Sequence, residues 1–232
     1  MSVLDRLRLA WAILRERSHR HDPVFVQTPG ALPRVERVAF LLDLARDRRV
    51  LHLGFLDTPF LERKIREGTM LHRRLHAVAR DLYGVDIDAE DLARYRALTG
   101  DLANLRLDLT EPAVDLGPLT ARPWDYVFLP EVLEHLADPA TALRRLHRLC
   151  AASDARLVIT VPNAFSLMGV IAAAGGREVV HPDHFFYFSP VTLSRLVTAC
   201  GFTVERCLLY GGSPTDRRPG LTDAGVICVC RV

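Results

Sequence analysis

Residues 124–139 read WDYVFLPEVLEHLADP, and this stretch decides the fold. Its first half is a continuous apolar run, Tyr126–Leu129, of the kind a strand shows when both of its faces are covered. Its second half turns abruptly to acids and a histidine, and a helical pattern follows over residues 131–150. A short buried strand leading straight into a helix is one half of a βαβ unit, which requires a parallel sheet.

The same alternation extends outward in both directions. Further strands are expected at Arg49–Leu53, Asp81–Asp86, Leu102–Asp108, Arg156–Thr160, Phe202–Tyr210 and Gly225–Arg231. Helices are expected at about 60–79, 89–98 and 189–200. Only the turn-rich GGSPTDRRPGLTDAG, residues 211–225, separates the last two strands, so they form a hairpin and one of them runs antiparallel. The fold class expected is α/β: a Rossmann-like, doubly wound, mostly parallel seven-stranded sheet with a C-terminal antiparallel hairpin. Upstream, Leu4, Leu7, Trp11 and Leu14 mark an amphipathic helix. Residues 22–34 are a Pro- and Gly-rich connection, and a second helix carries Val35, Val38, Leu41, Leu42 and Leu44. The division expected is a helical extension over 1–34 and one catalytic-sized domain over 35–232.

Composition narrows the function classes. Thirty basic and 28 acidic residues give a net charge of +2, so no global field draws the chain to nucleic acid or to anionic lipid. Lys64 is the one lysine, leaving 29 arginines spread along the whole length, which reads as a codon habit. Five cysteines, none in a C-x-x-C pair, disfavour disulfides and thiolate zinc sites. Cys228 and Cys230 share one strand face as small core residues. The apolar run Leu9–Leu14 is far short of the ~20 residues of a membrane span. The location expected is cytoplasmic, with the apolar stripe of the first helix suited to packing on the domain or on a twin subunit, a homodimer.

In a sheet of this kind ligands bind beyond the carboxyl ends of the strands. Gly54 follows the first major strand but stands alone, so a G-x-G-x-x-G nicotinamide site is disfavoured. Asp86 ends the next strand, where a carboxylate can accept from a ribose diol. Capping of the following helix is the competing role, and Asp88 suits that cap better. Asp108 is placed to accept from an adenine amino group or to cap its own loop. Glu131, Glu134 and His135 fall at helical offsets that put all three on one face. Such a set at the ligand end of the sheet can hold a divalent cation, with His184 or His181 from HPDHFF (181–186) as a further ligand. Oxygen ligands favour magnesium or manganese, and the histidine admits zinc, iron or cobalt. Pocket polarity without a metal is the plainer reading. His135 or His184 would then serve as general base. Phe185, Phe186, Tyr187 and Phe188 wall an acceptor pocket or belong to the core, and Arg144, Arg145 and Arg148 are expected to be solvated.

WDYVFLPEVLEHLADP, with the later VPN, resembles the fourth-motif region of class I S-adenosylmethionine-dependent methyltransferases. LYGVDIDAEDL (82–92) resembles their second motif, and VLHLGFLDTPF (50–60) stands in place of the first. HFFYFSPVTLSRLVTACGFTVER (184–206) is similar to their phenylalanine–serine–proline segment and following helix. The first motif departs from the family pattern. His52 replaces the usual acid, Phe55–Pro59 replace glycines, and a long insert carries Leu71–His72. The resemblance implies S-adenosyl-L-methionine as cofactor, with Gly54, Asp86, Asp108 and Glu131 binding it. The E-x-x-E-H and D-H-x-F segments are also similar to those of metal-dependent small-RNA 2′-O-methyltransferases, which implies Glu131, Glu134, His135 and His184 as metal ligands. The expected activity is methylation of an oxygen on a small-molecule or glycan-like metabolite, as in natural product biosynthesis. A degenerate cofactor-fold protein that no longer methylates is the alternative. Acceptor-recognising segments would be the N-terminal helix, residues 55–75 and residues 163–187.

Overall fold

The computed structural model describes Leu4, residues 32–211 and residues 223–232. The chain divides into two compact units, Met1–Ala31 and Leu32–Val232. Apart from Leu4, the expected first helix, and with it the apolar stripe proposed to bury a twin subunit, lies outside the described residues. So does most of the hairpin turn.

The second unit is an eight-stranded sheet in the order β1-β7-β8-β6-β5-β2-β3-β4. Its strands are β1 (Arg34–Val35), β2 (Arg49–Leu53), β3 (Asp81–Asp86), β4 (Asn104–Arg106), β5 (Tyr126–Pro130), β6 (Arg156–Pro162), β7 (Thr203–Tyr210) and β8 (Gly225–Arg231). β8 alone runs antiparallel to its neighbours, β6 and β7; the other pairs are parallel. The expected hairpin is therefore β7–β8. The eighth strand, β1, is two residues long and pairs with Leu209 and Tyr210 at the sheet edge, too short for any periodicity to reveal.

The strands are buried on both faces, as continuous apolar runs demand. Val127 and Leu129 pack into one core with Leu143, Leu146 and Leu149, while Phe128 between them joins a second core with Leu41, Leu75 and Ile227. This period of two splits each strand between the layers. Helices flank the sheet: α1 (Arg37–Ala45), α2 (Leu61–Glu67), α3 (Leu71–His76), α4 (Ala89–Thr99), α5 (Gly117–Thr120), α6 (Pro139–Ala151), α7 (Leu167–Ala174) and α8 (Pro190–Ala199).

Two expected helices are broken, each for a local reason. The 60–79 stretch ends its first helix at Gly68, whose φ of 68° gives a left-handed cap with its N–H donating to the Ile65 and Lys64 carbonyls. The 131–150 stretch does not begin at Glu131. That residue sits at φ 54°, a short 3-10 turn follows at Leu133–His135, and α6 starts only at Pro139. Asp138 caps α6 by accepting from the Thr141 N–H at 3.0 Å, with Pro139 at the first helical position. Arg145 departs from expectation too. It is buried, and its guanidinium donates to the carbonyls of Leu109 and Pro112, tying α6 to the β4–α5 connection. Arg144 and Arg148 are exposed.

Candidate active site

Strand order reverses between β2 and β5, so their carboxyl ends open the crevice where such folds take ligands. Gly54 leaves β2 at φ 64°, and its N–H donates to the Val85 carbonyl at 2.8 Å. A Cβ at Gly54 would lie 2.2 Å from Val132 Cγ2. The turn after β2 and the turn after β5 therefore meet backbone to side chain, and only glycine fits both the space and the conformation.

Asp86 ends β3 beside that turn. Its Oδ2 accepts the Leu56 N–H at 2.8 Å, and its Oδ1 accepts the Ile87 and Asp88 N–H groups at 2.8 and 3.3 Å. Burial raises its carboxyl above the ordinary range, and those N–H donors oppose the rise. The helix cap falls to Asp88, which accepts from Glu90 and Asp91. Asp108 Oδ1 is bonded to the Thr110 N–H and hydroxyl at 2.7 and 2.6 Å, closing its own loop.

Beyond β5, Glu131 is held from three sides. Its Oε1 accepts from the Thr160 hydroxyl at 2.6 Å and the Tyr210 hydroxyl at 2.7 Å, and lies 3.3 Å from Arg37 Nη1. Burial and the neighbouring Glu131 carboxylate push the Tyr210 phenol up. Glu134 is in the opposite condition. It is 1% exposed, both carboxyl oxygens lack a hydrogen-bond partner, and burial followed by Glu131 pushes its pKa to about 8. At neutral pH it is mostly an uncharged acid. Glu131, Glu134 and His135 do not share a helical face, because the left-handed turn at Glu131 separates it from the 3-10 turn carrying the other two.

His135 is instead brought to His181 and His184, with ring centroids 5.9 and 4.5 Å away. One ligand atom from each of the three lies within 4.8 Å of the others. The Phe185 N–H donates to the Glu134 carbonyl at 2.8 Å, pinning the histidine loop to the 3-10 turn. Burial, then His135 and His181, lower the His184 pKa. Phe188 is core, whereas Phe185, Phe186 and Tyr187 remain exposed.

The departures in the first motif form a packed unit. His52 and His72 are buried with their Nδ1 atoms 3.1 Å apart. Phe55 lies over His72 at 4.3 Å and meets the Tyr95 edge at 5.1 Å. His72 Nε2 faces Asp101 at 3.7 Å, and the Tyr95 hydroxyl donates to Asp101 at 2.8 Å. A Cβ on Gly84 would meet Phe55 at 2.7 Å, so β3 needs glycine to admit that ring. The 55–79 insert thus fills the space beside β2 with aromatic and imidazole rings.

Residues 36–206 match a family described as a methyltransferase domain. The chain belongs to that family. It is a member of the class I S-adenosylmethionine-dependent methyltransferase superfamily, as the motif resemblance implied. None of the curated proteins compared matches it. Solved structures sharing the fold include an S-adenosylmethionine-dependent methyltransferase from Mesorhizobium loti, at 18% identity and TM-score 0.53, covering 84% of this chain and 96% of that one. The small-RNA methyltransferase HEN1 aligns at 19% identity and TM-score 0.57 over 90% of this chain and 27% of its own. Magnesium protoporphyrin IX methyltransferase from Synechocystis, solved with S-adenosylhomocysteine, aligns at 17% identity and TM-score 0.50, covering 84% and 80%.

This methyltransferase domain uses residues that sequence patterning did not single out. Arg37, Thr160 and Tyr210 come from α1, β6 and β7 to hold Glu131. For Thr160 and Tyr210 the available signal was position at or near a strand end. The sequence offers His184 or His181 beside His135, and the structure brings both into the cluster. No helix among the described residues is long and apolar enough to cross a membrane.

Proposed function

We propose that this protein transfers a methyl group from S-adenosyl-L-methionine to an oxygen of a small-molecule or glycan-like metabolite. The observation that carries the reading is the contact of Gly54 with Val132, which joins the cofactor-type turn after β2 to the acid- and histidine-bearing turn after β5. The cofactor, when bound, supplies an electrophilic methyl group on a sulfonium. Gly54 would leave room for the cofactor at the turn after β2, and Asp86 would accept from its ribose hydroxyls with lone pairs the three N–H donors leave free. Asp108 and Glu131 complete the cofactor side.

On the acceptor side, His135 is oriented for proton removal. Its Nδ1 lies 3.2 Å from the Asp183 carbonyl, which only accepts, so Nδ1 carries the proton and Nε2 offers the lone pair. His184 stands beside it as the second candidate base. Rate enhancement in such a transfer comes mainly from alignment in a dry pocket. The uncharged Glu134 suits a site that excludes water. Exposed Phe165, Met168, Ile171 and Phe185 flank the acceptor segment and favour an acceptor with an apolar portion. Near-neutral charge argues for a metabolite over nucleic acid.

Calorimetric titration of the purified chain with S-adenosyl-L-methionine tests the reading. The wild type binds, and Asp86→Ala binds roughly ten- to a hundredfold more weakly, the loss of charge-assisted hydrogen bonds. A wild type that does not bind overturns it. A second reading, a fold retained without methyl transfer, draws on the filling of the first motif by Phe55, His52 and His72. Cofactor carried through purification, or its absence, separates the two.

A further inference from the structure

Among the described residues, the group whose ligand atoms converge is not the four-residue set implied by resemblance. Glu131 is engaged by Thr160, Tyr210 and Arg37, and the imidazoles of His135, His181 and His184 converge instead. We propose that these three histidines form a site for one borderline-soft divalent ion of the zinc type, distinct in ligands and in metal preference from a carboxylate-rich magnesium site.

The backbone builds the cluster. His181 and His184 lie on one turn, closed by the His184 N–H to the His181 carbonyl at 3.1 Å. The Phe185 N–H to the Glu134 carbonyl docks that turn against His135. The ligand atoms lie within 4.8 Å of one another. Zinc–nitrogen bonds of about 2.0–2.1 Å in tetrahedral geometry place ligand atoms roughly 3.4 Å apart, so side-chain rotation alone closes the set. Outer-sphere support is present. The His135 Nδ1–H donates to the Asp183 carbonyl, the arrangement by which metal-bound histidines have their tautomer fixed. His181 Nδ1 accepts the Asp183 N–H at 3.3 Å and lies 3.8 Å from the Asp183 carboxylate.

A second observation separates a ligand site from a chance stack of rings. His184 Nδ1 is buried with no hydrogen-bond partner, whereas buried polar nitrogens ordinarily have one. A metal bond to that lone pair satisfies it. Three imidazoles with no committed carboxylate select zinc, cobalt or nickel over magnesium or calcium, which demand oxygen. Three protein ligands also leave a fourth position open, the pattern of reactive zinc sites. Binding of the ion does not depend on the methyl-transfer reading, but it takes up the His135 Nε2 lone pair, so in the metal-bound protein that atom is a ligand and not the base.

The test is calorimetric titration of the chelator-stripped full chain with zinc chloride, repeated with cobalt and magnesium chlorides. One equivalent of zinc binds, cobalt gives the strong visible absorption of a low-coordinate site, and magnesium does not bind. His181→Asn, at an exposed position, weakens zinc binding tenfold or more with an unchanged metal-free melting curve, while Glu131→Gln still binds zinc. Absence of zinc binding overturns the proposal. So does zinc affinity indifferent to His181→Asn and abolished by Glu131→Gln. Cofactor titration on the same metal-free sample reads the methyltransferase assignment separately, so either can fail alone.

Discussion

Replacing Glu134 by glutamine should change how stability depends on pH, and the size of the change follows from the site. Glu134 is 1% exposed with no hydrogen-bond partner at either oxygen, and its pKa is pushed from an ordinary 4.5 to about 8. The folded pKa is thus above the unfolded one. Its contribution to stability is fully present below the unfolded value and is lost as pH rises through about 8. Each pH unit between those values removes ~1.36 kcal/mol. From about pH 6.5 to about pH 8.5, allowing for partial ionisation of the folded state near its pKa, the loss is roughly 2 kcal/mol. Glutamine is neutral throughout and shows no such loss. Other titrating groups act on both proteins and cancel in the difference. Urea unfolding of wild type and Glu134→Gln at both pH values measures it, with the variant gaining roughly 2 kcal/mol on the wild type at the alkaline end. A constant offset between the two proteins would mean that Glu134 ionises normally and the description of the site is wrong.

Three further outcomes are expected. Gly225→Ala places a Cβ about 2 Å from the Tyr210 ring and hydroxyl, so unfolding should show ~1–3 kcal/mol of destabilisation from overpacking; Tyr210→Phe, which removes the hydroxyl's bonds to Glu131 and to the Val161 carbonyl, should lose ~1 kcal/mol, and an equal effect of both would refute the steric account. Gly54→Ala combines a left-handed φ with the Val132 clash and should lower stability by roughly 2–4 kcal/mol and weaken cofactor binding in calorimetry; wild-type behaviour would show that the two turns move apart freely. Burial lowers the pKa values of His52 and His72, with the nearby Asp101 opposing the shift at His72, so both are neutral when folded and take up protons on unfolding. Stability should therefore fall by up to about 1 kcal/mol per histidine from pH 7 to about 5.5, read by urea unfolding in the Glu134→Gln background, and a flat profile there would sink the claim that the pair is desolvated.

What was legible in the sequence, and what was not, follows from the range of the forces involved. Strands buried on both faces announce themselves in a few contiguous residues, so Arg49–Leu53, Asp81–Asp86 and Gly225–Arg231 have the expected bounds. Helix caps are nearly as local. Asp88 caps α4 because its own carboxylate meets N–H groups two and three residues on. Glu131 could not be read this way. Its left-handed backbone is set by what captures the side chain, Thr160 and Tyr210, which lie 29 and 79 residues further along. Arg145 is the same case, solvated by helical periodicity alone yet buried against carbonyls 36 and 33 residues upstream.

The consequence for the site is specific. Spacing pointed to the turn after β5 as the candidate site, but helical offsets were the wrong geometry for a turn whose first residue is in the left-handed region. The two glutamates, three residues apart and chemically alike, end in opposite conditions: Glu131 bonded to two hydroxyls beside Arg37, Glu134 unpartnered and mostly protonated at neutral pH. No pattern in EVLEHL distinguishes them, because the difference resides in Arg37, Thr160 and Tyr210. The histidine cluster follows from that division. With one carboxylate captured by the sheet and the other uncharged, the nitrogen ligands that converge there belong to His135, His181 and His184. In the proposed site the metal preference follows from the residues that engage Glu131, and a variant that releases it, such as Tyr210→Phe combined with Thr160→Val, should move that preference toward oxygen-seeking ions in the zinc and magnesium titrations.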